Sequence, residues 1–454
     1  MSLDVSQVNT QVSAKQVNED SARHVMVSWA VQKAANTDPL VVSEARGSWF
    51  WDSDGKRYLD FSSQLVNSNL GHQHPKVVAA IKEQAEKLCY IGPNFQNEAR
   101  STLARMLAER SPGDLTKTFF TNGGAEANEN AIKMARTYTG RQKVITRYRS
   151  YHGATAGAMT FSGDNRRWAN EPGISGVLRV QDPYPYRCTF KGCGEVCSMA
   201  CGHNIEDVLS FEGPDNVAAI LVEVVTGTNG IFVPPPEYLP YLRQLCDKYG
   251  IMLIFDEVMT GFGRTGKWFA ADHYGVQPDI MTFAKGVNSG YVPLGGAIIS
   301  QKLSDYFEDK MFWGGLTYSG HPLACAAGIA TLEAYEEDGA IENSARLGAK
   351  LLAELTALKD KHPSVGDVRG LGLFCGVELV KDRQTREGMP AWNGKDQALT
   401  NKLKKALMDR GVFVFCRYNM LFIAPPLTIS EDELMIGVRA VDEVLSIADE
   451  AAAS

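Results

Sequence analysis

Ile251-Met252-Leu253-Ile254-Phe255-Asp256-Glu257 is an unbroken apolar run that ends in two carboxylates and leads into Thr260-Gly261-Phe262-Gly263-Arg264-Thr265-Gly266. A short aliphatic run closed by glycines reads as a buried strand. Comparable runs at 143–146, 217–225, 280–284 and 297–300 alternate with segments of helical length and pattern. That alternation predicts an α/β architecture with a largely parallel central sheet, and it places reactive residues at the strand ends and in the loops beyond them. The chain has 454 residues, and at roughly 150 per domain it should hold two or three units. The expected division is an N-terminal segment 1–74, a large domain 75–330 and a smaller α+β domain 331–454. After Leu332 the texture turns to charged amphipathic helices, 342–361 and 396–410, around the apolar run 373–379. Segments 47–52 and 56–61, with Asp54-Gly55 between them, read as a hairpin that joins the smaller domain.

Hydrophobic residues make up 44% and charged residues 22% of the chain, as in ordinary globular proteins. Lys plus Arg total 46 against 53 acidic residues, a net charge of −7, which gives no electrostatic footprint for nucleic acid. The first residues are polar and lack the apolar core of a secretory signal. The weakly charged stretch 311–332 holds His321 and Pro322 among small polar residues and fails as a membrane span. A cytoplasmic protein that works on small molecules is expected. Nine cysteines fit reduced thiols. Four of them, Cys188, Cys193, Cys197 and Cys201, follow C-x4-C-x3-C-x3-C. This spacing could bring thiolates together but lacks the paired C-x2-C knuckles of structural zinc, so no metal is assigned.

Three elements carry chemistry. Phe119-Phe120-Thr121-Asn122-Gly123-Gly124-Ala125-Glu126 runs from a strand end through two glycines into a helix whose apolar face is Ala127, Ala131, Met134, Ala135 and Tyr138. Small residues there let backbone amides approach an anion, and the helix N-terminus favours a phosphate. The stretch is neither a G-x-G-x-x-G fingerprint nor a Walker loop. Asp256, at a buried strand tip, needs a partner: a metal, for which His273 and His321 show no ligand spacing, or an organic cation. Pro278-Asp279-Ile280-Met281-Thr282-Phe283-Ala284-Lys285-Gly286 delivers a lysine from a strand end into a glycine-bounded turn. Each alone has an ordinary reading, such as a lysine snorkelling to solvent. Together they match pyridoxal phosphate, which needs an anion cradle, a carboxyl for the pyridinium nitrogen and a lysine for the aldehyde.

The sequence also resembles the class III, or ω-, aminotransferases of PLP fold type I. The resemblance rests on Asn122–Ala127, Tyr151-His152-Gly153, Asp256-Glu257-Val258 through Gly266, Ala284-Lys285-Gly286 and Thr317-Tyr318-Ser319-Gly320-His321-Pro322, in the family's order. The stretches His24–Trp29, Phe61–Val66 and Cys89-Tyr90-Ile91-Gly92 look most like the taurine:pyruvate type. It implies that Lys285 and Asp256 are catalytic and bind the cofactor, as Schiff-base lysine and partner of the ring nitrogen. Gly124, Ala125, Tyr151, His152, Glu223 and Val258 would line the cofactor. Thr317 would reach its phosphate from a neighbouring subunit, making the site a property of a homodimer or tetramer.

Two departures matter. The family's Glu-Pro is here Glu223-Val224, and Ala154 stands where 2-oxoglutarate specialists place an arginine after the aromatic-His-Gly motif. Arg417 would bind a substrate carboxylate or sulfonate, with Glu223 holding it when an uncharged donor enters. The expected activity is transfer of an amino group from a primary amine or ω-amino acid to a 2-oxo acid, with pyruvate favoured. Alternatives are an aminomutase, decarboxylase or racemase on the same fold, or an (S)-amine transaminase using 2-oxoglutarate.

Overall fold

In the computed structural model, which describes residues 12–191 and 197–454, the N-terminal part contributes strands β1 (Val42–Arg46), β2 (Trp49–Asp52) and β3 (Arg57–Asp60). The central sheet is built from β4 (Leu115–Thr121), β5 (Lys143–Arg147), β6 (Val177–Val180), β7 (Val217–Glu223), β8 (Met252–Asp256), β9 (Ile280–Phe283) and β10 (Gly295–Ser300). Its order is β4-β10-β9-β8-β7-β5-β6. From β9 across to β6 every pair is parallel. β10 runs against both neighbours, β4 and β9. The run at 297–300 announces a strand but carries no sign of its direction, which is set by the short return from the lysine turn.

β7 and β8 are buried along their whole length. Helices on both sheet faces require apolar residues at every position of the strands between them, which explains why these strands read as continuous rather than alternating runs. The helix Tyr238–Tyr249 covers one face with Leu242, Leu245 and Cys246. The helix Gly124–Thr139 covers the other with Ala131, Met134 and Ala135, which pack on Val144, Leu221 and Ile254.

Beyond the central sheet lie β11 (Val365–Gly370), β12 (Cys375–Asp382), β13 (Glu387–Gly388), β14 (Val412–Phe413), β15 (Phe415–Arg417) and β16 (Met420–Ile423). One sheet has the order β11-β12-β16-β15, and β13 pairs with β12. The N-terminal hairpin β2–β3 pairs through β3, in parallel, with β14. β14 and β15 are nearly continuous in sequence, so one strand segment serves two sheets and carries Arg417 at its end. The buried Arg264 guanidinium fastens the parts together, donating to Leu373 O at 2.9 Å, Pro425 O at 2.6 Å, Ser63 Oγ at 3.2 Å and Asn69 Oδ1 at 2.8 Å. Among the described residues no helix is long and apolar enough to cross a membrane.

Candidate active site

Parallel neighbours bring their carboxyl ends to one edge of the sheet, and the register is tight: Glu223 of β7 stands beside Asp256 of β8, and Asp256 beside Thr282 of β9. A cavity of about 950 Å³ opens at this edge. Gly124, Ala125, Tyr151, His152, Glu223, Asp256, Val258, Lys285 and Arg417 all line it. Residues from six separate stretches of sequence thus meet because each sits at or just beyond a strand end.

Asp256 is 4% exposed and held by three donors. Its Oδ2 accepts from Asn128 Nδ2 at 2.8 Å and lies 2.7 Å from His152 Nδ1; its Oδ1 accepts from the Val258 N–H at 3.0 Å. Asn128 is fixed in turn by the Thr282 hydroxyl at 2.8 Å and by the His152 carbonyl at 2.9 Å. With its side chain so tethered, the carboxyl is preorganised toward the cavity.

Lys285 follows β9 with φ 45°. That left-handed conformation is uncommon for a residue with a side chain, and such backbone concentrates at functional sites. Burial lowers the pKa of its amine, against the opposing pull of Asp256 and Glu223. An amine so placed loses its proton more readily than a surface lysine.

The helix Gly124–Thr139 starts after Gly123 without a side-chain cap, leaving first-turn amides available to an outside anion. A Cβ on Gly124 would come within 2.8 Å of both Val258 methyls, so only glycine allows this close approach. Glu223 is buried, and its Oε1 accepts from the Tyr151 N–H at 3.0 Å and its Oε2 from the Gly227 N–H at 2.7 Å. The loop therefore closes on its carboxylate although Val224 replaces the expected proline. Burial raises the Glu223 pKa, tempered by His152 and Arg147.

Arg417 does not sit on Glu223 as expected. Its Nη1 lies 3.2 Å from Asp164 Oδ2, from Thr228 O and from Asn229 Oδ1, and its Nη2 donates to Asn165 Oδ1 at 3.0 Å. Both Glu223 oxygens already serve backbone amides, so the aspartate takes the arginine. Asp164 also binds Arg166, whose guanidinium lies 3.5 Å over the Tyr151 ring centre. Asn128, Asp164 and Arg166 were not singled out in the sequence. A polar Asn128 one turn after Gly124, beside Ala127 and Ala131, was the one available signal. Thr317 is exposed and away from the cavity lining, where its carbonyl accepts from the Tyr90 hydroxyl at 3.0 Å. Cys193 lies outside the described residues; among those described, no group of three or more side chains is placed to hold a metal.

An amide cradle without a Cβ in the way, a tethered carboxyl and a half-buried lysine fit a phosphate-bearing pyridine aldehyde, and with the α/β sheet they define an aminotransferase-type enzyme. The family described as Aminotransferase class-III matches residues 30–445, and the chain belongs to that family. It is similar to a taurine:2-oxoglutarate aminotransferase structure from Bifidobacterium kashiwanohense in complex with PLP and glutamate, with 43% identity, TM-score 0.93, and 97% of this chain and 99% of that one covered. An (S)-enantioselective omega-transaminase structure from Thermomicrobium roseum shares 38% identity with TM-score 0.91, covering 96% of this chain and 99% of that one. The taurine–pyruvate aminotransferase of Bilophila wadsworthia is 34% identical over 89% of this chain and 92% of its own length.

Proposed function

We propose that the protein transfers an amino group from an ω-amino acid or primary amine to a 2-oxo acid, with pyridoxal phosphate as cofactor and Lys285 and Asp256 as its catalytic residues. The observation that carries this reading is the convergence of Lys285, Asp256 and the uncapped helix start on one cavity that also holds two guanidinium groups. When bound, the cofactor supplies an electron sink for the bond broken at the substrate carbon. Amides of Gly124 and Ala125 would hold its phosphate, and Val258 and Tyr151 would pack against its ring. Asp256, oriented by Asn128 and His152, holds the proton on the ring nitrogen. The Lys285 amine, freed of its proton more easily by burial, would take a proton from the amine-bearing carbon of the donor and deliver it to the aldehyde-derived carbon of the cofactor. Exposure of Thr317 beside Trp313 and Tyr318 supports a homodimer in which Thr317 from a second copy of the chain completes the phosphate site.

The lean toward pyruvate rested on Ala154 leaving a distal carboxylate without a cation. Arg166 removes that ground, because it lines the same cavity as Arg417. In this reading Arg417 grips the carboxylate of any 2-oxo acid, and Arg166 takes the second carboxylate of a dicarboxylate such as 2-oxoglutarate, each through paired hydrogen bonds. Steady-state comparison with one good donor tests it. Arg166→Ala should lower kcat/KM for 2-oxoglutarate at least about tenfold relative to pyruvate, and an unchanged ratio would show that Arg166 does not read the acceptor.

A further inference from the structure

Asp164 is 3% exposed, and its carboxylate is shared by two arginines, one two residues away and the other far along the chain. Its Oδ2 accepts from Arg166 Nε at 2.8 Å and again from Arg166 Nη2, and lies 3.2 Å from Arg417 Nη1, across 253 residues of sequence. Its Oδ1 caps the following turn, accepting from the Arg166 N–H at 3.0 Å. Arg166 Nη2 also donates to Thr228 Oγ1 at 2.8 Å. Burial alone would raise the Asp164 pKa, but the Arg166 hydrogen bond and the charges of both arginines outweigh it and hold the carboxyl below its ordinary value. Burial and the charge of Arg166 lower the pKa of Arg417, while Asp164 opposes them.

We propose that Asp164 is an internal stand-in for the substrate carboxylate: it occupies Arg166 and Arg417 when an uncharged amine is bound and competes with the acid group when a carboxylate-bearing substrate enters. The inference rests on the reading of Arg417 and Arg166 as the substrate-carboxylate site. Two half-buried guanidinium groups and one carboxylate carry one surplus positive charge, so a first incoming acid group meets a net cation and a second must displace Asp164. Without a substrate acid, Asp164 keeps both cations paired, so a pocket that must also receive apolar amines is not left with unpaired half-buried charge. The cost is weaker binding of every acid, because each must share its arginine with a carboxylate already in place. Asp164 thus sets how the enzyme divides its preference between acidic and neutral substrates, without touching the reacting atoms.

Asp164→Asn tests this, because asparagine has the same shape and can still cap the turn while the negative charge is gone. Affinity of the cofactor-loaded protein for propionate, a carboxylate that cannot react, is read by calorimetry, and kcat/KM is measured for β-alanine and for 1-phenylethylamine. Propionate should bind about tenfold more tightly in the variant, and kcat/KM for 1-phenylethylamine should fall about tenfold relative to β-alanine. A residue that merely positions the two arginines would give the opposite shift, so propionate affinity that is unchanged or weaker overturns the proposal. Asp164→Ser, which also caps and carries no charge, must move both quantities in the same direction as Asp164→Asn. Propionate binding needs no turnover, so absent transamination by the unmodified enzyme would sink the functional reading while still leaving the role of Asp164 to be read.

Discussion

Asp256, with three donors on its two oxygens, is the residue whose surroundings constrain its role most tightly. Asparagine at this position would keep the size but offer an amide where the cofactor ring needs an anion, so Asp256→Asn should retain cofactor while kcat falls at least about a hundredfold. Absorbance of the bound cofactor and steady-state rates check this, and near-normal turnover would falsify the role given to the carboxyl. Asp256, Lys285 and Gly124 were legible in the sequence because each interrupts an apolar strand or opens a helix, where a charge or a bare backbone stands out. Asp164 and Arg166 were not, because they sit at the start of a short 3₁₀ helix, Asn165–Asn170, with no periodicity to mark a face. Their importance comes from meeting Arg417 in space, and sequence order carries no trace of that meeting.

At the level of elements, the start of the helix Gly124–Thr139 depends on glycine packing around it. Gly153 has φ 140°, and a Cβ there would stand 2.4 Å from the Ala125 Cβ. Gly153→Ala should therefore push the Ala125 amide off its position, weakening cofactor affinity at least about tenfold and lowering the melting temperature of the cofactor-free protein by several degrees. Cofactor titration and thermal melts measure both, and an unaltered affinity would show that the helix start tolerates displacement. Gly295 obeys the same constraint, since its Cβ would lie 2.8 Å from the Gly123 carbonyl carbon. Periodicity located the strands because burial on both faces leaves an apolar signature. The reversal of β10 stayed hidden, as a buried strand reads the same in either direction. That the N-terminal hairpin joins the C-terminal part was expected, but its pairing with β14 was not, because pairing partners so far apart in sequence leave no local pattern.

Across the whole molecule, stability is coupled to pH where the C-terminal helix meets the end of the helix Ala340–Lys361. His362 lies 2.7 Å from Asp442 and 2.6 Å from Asp449. Burial pushes both carboxyls up, yet hydrogen bonds from Lys361 and His362 to Asp442, and from Ser364 and His362 to Asp449, hold them below the ordinary range. Carboxyls depressed in the folded state stabilise it above their unfolded pKa, about 4, and that contribution is lost as pH falls through the lower folded values. The melting temperature of the unmodified protein should therefore exceed that of Asp442→Asn/Asp449→Asn at pH 7, with the gap closing below about pH 4. A gap of constant size would contradict this linkage. The central claim concerns the lysine that the sheet, the helix start and Asp256 all face. Borohydride reduction of the cofactor-saturated protein, followed by peptide mapping, should place one pyridoxyl group on Lys285, whereas a label on any other residue, or none, would contradict the account.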